Sequence, residues 1–199
     1  MPSVLIGRTG GFQPDVLLDF TQAFYRKDGS IGTIPGIGGT ITGSPSITSA
    51  GLLCTSGQGV SVPYTFTGDF VVVADFAAIT TGVLVSFQHP SGGEAEFAAW
   101  GPSPASVVVN ASTGGLSDIV AANPASTKVA FGWQGNTLKG SFMGGAVVNR
   151  SGTAPSLAGA SSIKCGWDGT TNQANGRLRS LLIFKGAFTD LDFAAFSTP

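Results

Sequence analysis

A chain of 199 residues, 42% hydrophobic and only 11% charged, is long enough to bury a core as one domain. Its net charge of −1, with 10 Lys plus Arg against 11 Asp plus Glu, argues against nucleic acid as a partner, because no basic patch is present to neutralise phosphates. The most apolar run, "FVVVADFAAI" from Phe70 to Ile79, is too short for a bilayer and carries Asp75 in its middle, so no membrane partner is expected.

The apolar residues are mostly Val, Ile and Phe, interrupted by Gly, Ser and Thr, which is the composition of an all-β domain. Residues 1–14 read as an extended arm. Within it Ser3, Val4, Leu5 and Ile6 form an apolar segment suited to adding a strand to a sheet edge, so it is the candidate assembly arm. The start "MPSVLIGRTG" lacks a charged head and a long apolar stretch, so it does not read as a secretory signal. Cys54 and Cys165 are accordingly expected to be buried thiols rather than a bridge.

Residues 15–199 read as the folded domain. In "DVLLDFTQAFYRKDG" Val16, Leu18 and Phe20 share one face, with Leu17 and Asp19 opposite, before a turn at Asp28–Gly29. Residues 29–51 are Gly, Thr, Ser and Pro-rich and predict loops with short strands. "LLCTSG", "GVSVPYTF", "GDFVVVADFAAI", "VLVSFQH", "EAEFAAW", "ASVVVN", "LSDIVAA" and "TKVAFGWQ" follow as successive strands, Pro63 marking an edge or a break. A meander then runs through "TKVAFGWQGNTLKGSFMGGAVV". Val129, Phe131 and Trp133 share a face, "QGN" turns, and Leu138, Gly140 and Phe142 share the next face. "SSIKCGWDG" and "GRLRSLLIF" are strands around the polar loop "DGTTNQANG". About twelve to fourteen strands at roughly 8–12-residue spacing, with no internal repeat, predict an all-β two-sheet antiparallel sandwich.

One helix is expected, at the end. Thr189 is its N-cap and Asp192 stands three residues on, the spacing of a capping box. Phe188 and Phe193 flank that start as a hydrophobic staple. Leu191, Ala194 and Ala195 are expected to pack onto the sandwich.

The block "KVAFGWQGNTLKGSFMGGAV", then "IKCGWDG", then "GRLRSLLIFKGAFTDLDFAAF" resembles the concanavalin A-like lectin/glucanase domains, in their laminin G-like branch. It departs from that pattern with Phe188 where Leu is usual and Asp192 where Glu is usual. The resemblance covers Lys128 to Phe196, and "LLDFTQAFYR" is similar to the first strand of the same jelly roll. The variety it is most similar to occurs in tailed-phage structural proteins. This implies a jelly roll in a virion, made in the host cytoplasm, decorating a capsid or forming part of a tail or fibre. Its partners would be copies of itself and other virion proteins. The alternative the resemblance carries is a carbohydrate-binding module for a host surface glycan, and the third is a glycosidase.

Candidate sites differ between these readings. For sugar binding, Trp167 and Trp100 offer stacking faces, and Asp168, Asn172 and Asn175 offer oxygens and amides to hydroxyls. The resemblance also implies Ca²⁺ at such a rim, with no other cofactor expected. Trp133 alternates with Val129 and Phe131 and is expected in the core, while Tyr64 is a further aromatic candidate. For hydrolysis, Glu94 and Glu96 would lie on one strand face about 6–7 Å apart, against about 5–5.5 Å in retaining glycosidases. A third acid is missing, since residue 99 is Ala99, and the chain is expected to be no enzyme. His89 accompanies no nucleophile motif, and with Cys54 and Cys165 it lacks zinc spacing.

Overall fold

The computed structural model describes residues 11–53, 55, 57–88, 95–103, 106–111, 116–122, 126–151, 162–166 and 175–199. The fold is an all-β sandwich of antiparallel strands with one C-terminal α-helix. The strands are β1 (Val16–Asp19), β2 (Phe24–Lys27), β3 (Ser30–Gly32), β4 (Thr40–Thr42), β5 (Ser46–Thr48), β6 (Gly51–Leu53), β7 (Gly59–Pro63) and β8 (Phe70–Gln88). They continue with β9 (Ala95–Ser103), β10 (Ser106–Ala111), β11 (Leu116–Ala122), β12 (Ser126–Gln134), β13 (Thr137–Phe142), β14 (Val148–Ser151), β15 (Ser162–Cys165) and β16 (Asn175–Lys185). The helix is α1 (Asp190–Ser197).

The two sheets share β8. Its first half, Phe70–Ala77, pairs with β12 on one side and β16 on the other. Its second half pairs with β9 and β15. The first sheet therefore runs β14-β13-β12-β8-β16-β1-β2-β3, and the second runs β11-β10-β9-β8-β15-β7-β4. The sequence predicts two strands here, "GDFVVVADFAAI" and "VLVSFQH". The structure has one 19-residue strand. Backbone partners stand at Thr81, opposite Asn175, and at Gly82, opposite Gly101, so pairing is present where the side chains give no strand signal.

The alternation read from the sequence holds. Val16, Leu18 and Phe20 enter the core between the sheets with Val72, Phe76, Phe131 and Trp133, and Val60, Val85 and Ile163 meet them from the second sheet. Leu17, Val71, Val73, Ala130 and Leu182 form the opposite face of the first sheet. Cys165 is buried in the core, as expected of a small thiol, whereas Cys54 lies outside the described residues. Asp75 falls on that outer face, where the Arg179 guanidinium donates to it.

Two turns position the region discussed below. The stretch after β1 does not run on as one strand but folds back at residues 20–23. Asp19 Oδ1 accepts from the backbone N–H of Thr21 and Gln22 at 3.0 and 3.1 Å, an Asx-type bond that replaces the ladder, and Ala23 takes φ 51°. Asp28 and Gly29 then take φ 48° and 83°, both positive as a two-residue hairpin between twisted strands requires.

The helix begins as predicted. Thr189 Oγ1 accepts from Asp192 N–H, and the Asp192 carboxylate accepts from Thr189 N–H at 2.8 Å. Its buried face differs from the expected one. Phe193 and Phe196, not Leu191 and Ala195, turn inward with Phe188 and close over Leu17, Val71, Val73 and Phe184. The Phe196 ring stacks on Phe184 with centroids 4.7 Å apart and planes 5° apart. Phe12 adds edge contacts to Phe188 and Phe196 at 5.2 and 5.9 Å, so the incoming chain packs beside the helix. Leu191 is left 82% exposed because three phenylalanines bury more apolar area than Leu191 with two alanines would. Among the described residues no helix is long and apolar enough to cross a membrane.

Candidate functional site

A polar cleft of the described structure lies where the β2–β3 turn, the end of β7 and the end of β16 converge. It encloses about 300 Å³ and is lined by Lys27, Asp28, Pro63, Tyr64, Thr65 and Lys185. Each wall has a local cause. Asp28 is carried by the hairpin turn, which is tied to β1 by Asp28 N–H donating to the Asp15 carbonyl at 2.9 Å. Asp15 is fixed in turn by its own N–H bond to the Ile183 carbonyl at 2.8 Å. Pro63 ends β7, since it has no N–H to extend the ladder, and delivers Tyr64 and Thr65 as irregular chain. Lys185 is the last residue of β16.

The charges in this cleft are paired. The Tyr64 hydroxyl donates to Asp15 Oδ2 at 3.2 Å, and Lys185 Nζ stands 3.3 Å from the same oxygen. Lys185 Nζ also sits 5.3 Å above the Tyr64 ring centroid, within cation–π range. Lys27 Nζ is 2.9 Å from Asp28 Oδ2. Beneath, the Tyr64 ring meets Phe66 edge-on at 4.8 Å, and Phe66 packs against Phe70 and Phe87. Tyr64 therefore has a core ring and a polar tip, and with 5% of its surface exposed it is no stacking platform for a sugar.

Burial, and then the negative charge and hydrogen bond of Asp15, raise the Tyr64 phenol well above its ordinary value. A group whose pKa is raised on folding adds stability below its unfolded pKa and loses it as pH climbs. The unfolded phenol titrates at about 10. Wild-type melting temperature is therefore expected to drop more steeply than that of Tyr64→Phe above about pH 10, because only the wild type must then hold a neutral phenol at residue 64. At pH 7 the same substitution should cost about 1 kcal/mol for the lost hydrogen bond. Parallel melts of the two proteins from neutral to strongly alkaline buffer measure both, and superimposable pH curves would refute the assignment.

Of the residues singled out from sequence, Tyr64 lines this cleft. Trp167, Asp168 and Asn172 lie outside the described residues, as do Ser3, Val4, Leu5 and Ile6, His89 and Glu94. Trp100 and Asn175 fall in β9 and β16 by their backbone, but their side chains and that of Glu96 lie outside the described part. Trp133 is core, 3% exposed, as its alternation indicates. Among the described residues no group of three or more His, Cys, Asp or Glu is placed to hold a metal. Asp28 carried only a turn signal and Asp15, Lys27 and Lys185 none; packing of β1, β2, β7 and β16 brings the neighbouring Lys27 and Asp28 to Asp15 and Lys185.

No family model and no curated protein matches the chain. Solved structures do match its fold. Domain 4 of AbnA, a GH43 extracellular arabinanase from Geobacillus stearothermophilus in complex with arabinotriose, is similar at TM-score 0.59 and 14% identity, over 94% of this chain and 98% of that one. Trypanosoma rangeli sialidase in complex with sialic acid is similar at TM-score 0.66 and 10% identity, over 92% of this chain. The match spans only 32% of the sialidase, about a third of its length. The CBM40 of Ruminococcus gnavus IT-sialidase, bound to α2,3 sialyllactose, is similar at TM-score 0.52 and 14% identity, over 79% of this chain and 98% of that one. At these identities the likeness is one of fold: this chain has the β-sandwich fold that these three proteins contain.

Proposed function

We propose that this chain is a carbohydrate-binding domain that does no chemistry on its ligand. The observation carrying this reading is coverage. The arabinanase domain and the CBM40 each match over 98% of their own length, and both are complexes with an oligosaccharide. The Tyr64 cleft supports it as an open, polar recess near the lower end of the roughly 300–1,000 Å³ of small-molecule sites. Of the sequence readings, this favours the carbohydrate-binding module over the virion component. The structural role in a tailed-phage particle rests on the sequence resemblance of Lys128 to Phe196 and of "LLDFTQAFYR", and self-association on the apolar arm Ser3 to Ile6; none of the three proteins above is a virion component.

An array of immobilised oligosaccharides probed with the full chain tests the reading. Retention of a defined glycan class, competed by the soluble glycan and without release of shortened products, is the expected result. Retention on no glycan would overturn it, and release of products would replace binding with hydrolysis.

A further inference from the structure

We infer that the Tyr64 cleft is the sugar site and that it takes a neutral, hydroxyl-rich sugar in preference to an anionic one, an inference that rests on the carbohydrate-binding reading above. Lys27, Asp28 and Lys185 line the cleft, and Asp15 stands behind it, bonded to Tyr64 and Lys185. Two cations therefore face two anions. Each lysine is already held by an aspartate, Lys27 by Asp28 at 2.9 Å and Lys185 by Asp15 at 3.3 Å. Such a recess has no net charge to draw in or retain an anion. A ligand carboxylate would have to take a lysine from its partner and leave that aspartate facing a like charge.

A hydroxyl meets no such conflict. An ammonium has three donors and a carboxylate about four acceptor positions, so each internal pair leaves hydrogen-bonding capacity on both sides. A sugar hydroxyl donates and accepts, which matches a surface offering both, and Thr65 adds a hydroxyl of its own. Stacking contributes little here, since Lys185 covers the Tyr64 ring and the ring itself is buried. At about 300 Å³ the cleft accepts the end of an oligosaccharide rather than a long run of it.

Isothermal titration of the full chain with arabinotriose and a panel of neutral oligosaccharides, and separately with α2,3-sialyllactose, tests this. A neutral sugar should bind, its affinity changing by less than about twofold between low and high salt, because no charge on the ligand is screened. Asp28→Asn and Lys185→Gln should each weaken that binding about tenfold. Asn tolerates the positive φ of residue 28, so Asp28→Asn keeps the turn, and thermal melts of both variants confirm the fold. Two results overturn the inference with the carbohydrate reading intact. One is binding of sialyllactose but of no neutral sugar. The other is neutral-sugar binding that survives both cleft variants and is lost in Trp167→Ala. A wild type that binds no sugar in titration or on the array overturns both.

Discussion

Gly132→Ala is expected to destabilise the protein by an amount at or above the upper end of the roughly 1–3 kcal/mol that overpacking costs. Gly132 lies in β12 opposite Val71 of β8. A Cβ built there overlaps the carbonyl oxygen of Phe70 and comes within 3.0 Å of Val71 Cα. Both obstacles are backbone, so no rotamer change relieves them. The two strands must separate where β8 enters the first sheet, and Gln134 Nε2 loses its bond to the same Phe70 oxygen, 3.3 Å away. The strand displaced is the one both sheets share, so the damage spreads to the whole sandwich. Gly135→Ala is the control. Nothing lies within 4 Å of its Cβ position and its φ is +60°, so only backbone strain of about 1–2 kcal/mol is expected. Urea unfolding of the two variants measures the contrast, and a Gly132→Ala midpoint equal to that of Gly135→Ala would show that the β12–β8 contact is not the constraint.

The helix provides the second large effect. Phe193→Ala should cost about 3–5 kcal/mol, the range for deleting a buried phenylalanine, because its ring has 0% exposure between α1 and the outer face of the first sheet. Leu191→Ala, two residues earlier on the same helix, should change stability by no more than about 0.5 kcal/mol, since Leu191 is 82% exposed. A helix that buried Leu191, Ala194 and Ala195 would reverse this order. Calorimetric melts of the pair decide between the two faces, and near-equal losses would contradict the packing described for Phe188, Phe193 and Phe196.

What could be read locally was read correctly at β1, at the β12–β13 hairpin and at the helix cap. In each case the information lies within a few residues: Val16, Leu18 and Phe20 alternate, Gly135 stands where the turn needs φ +60°, and Thr189 and Asp192 have the spacing of reciprocal hydrogen bonds. The misread elements depend on distant partners. The continuity of β8 is invisible in "ITTG" because it comes from the backbones of β9, β15 and β16 alongside. The inward face of α1 is set by which side chains find Leu17, Val71 and Phe184 beneath them, not by helical spacing alone.

The cleft shows the same division. Asp15 and Lys185 are 170 positions apart in sequence, yet the β1–β16 pairing sets their side chains within 3.3 Å. Composition and alternation by themselves determined an all-β sandwich closed by one capped helix, because burial of apolar faces is a sum over short-range patterns. Only the tertiary structure decided which charged residues meet around Tyr64. Single polar side chains at strand ends have no periodicity to betray them, and their neighbours are set by how the strands are ordered across the two sheets.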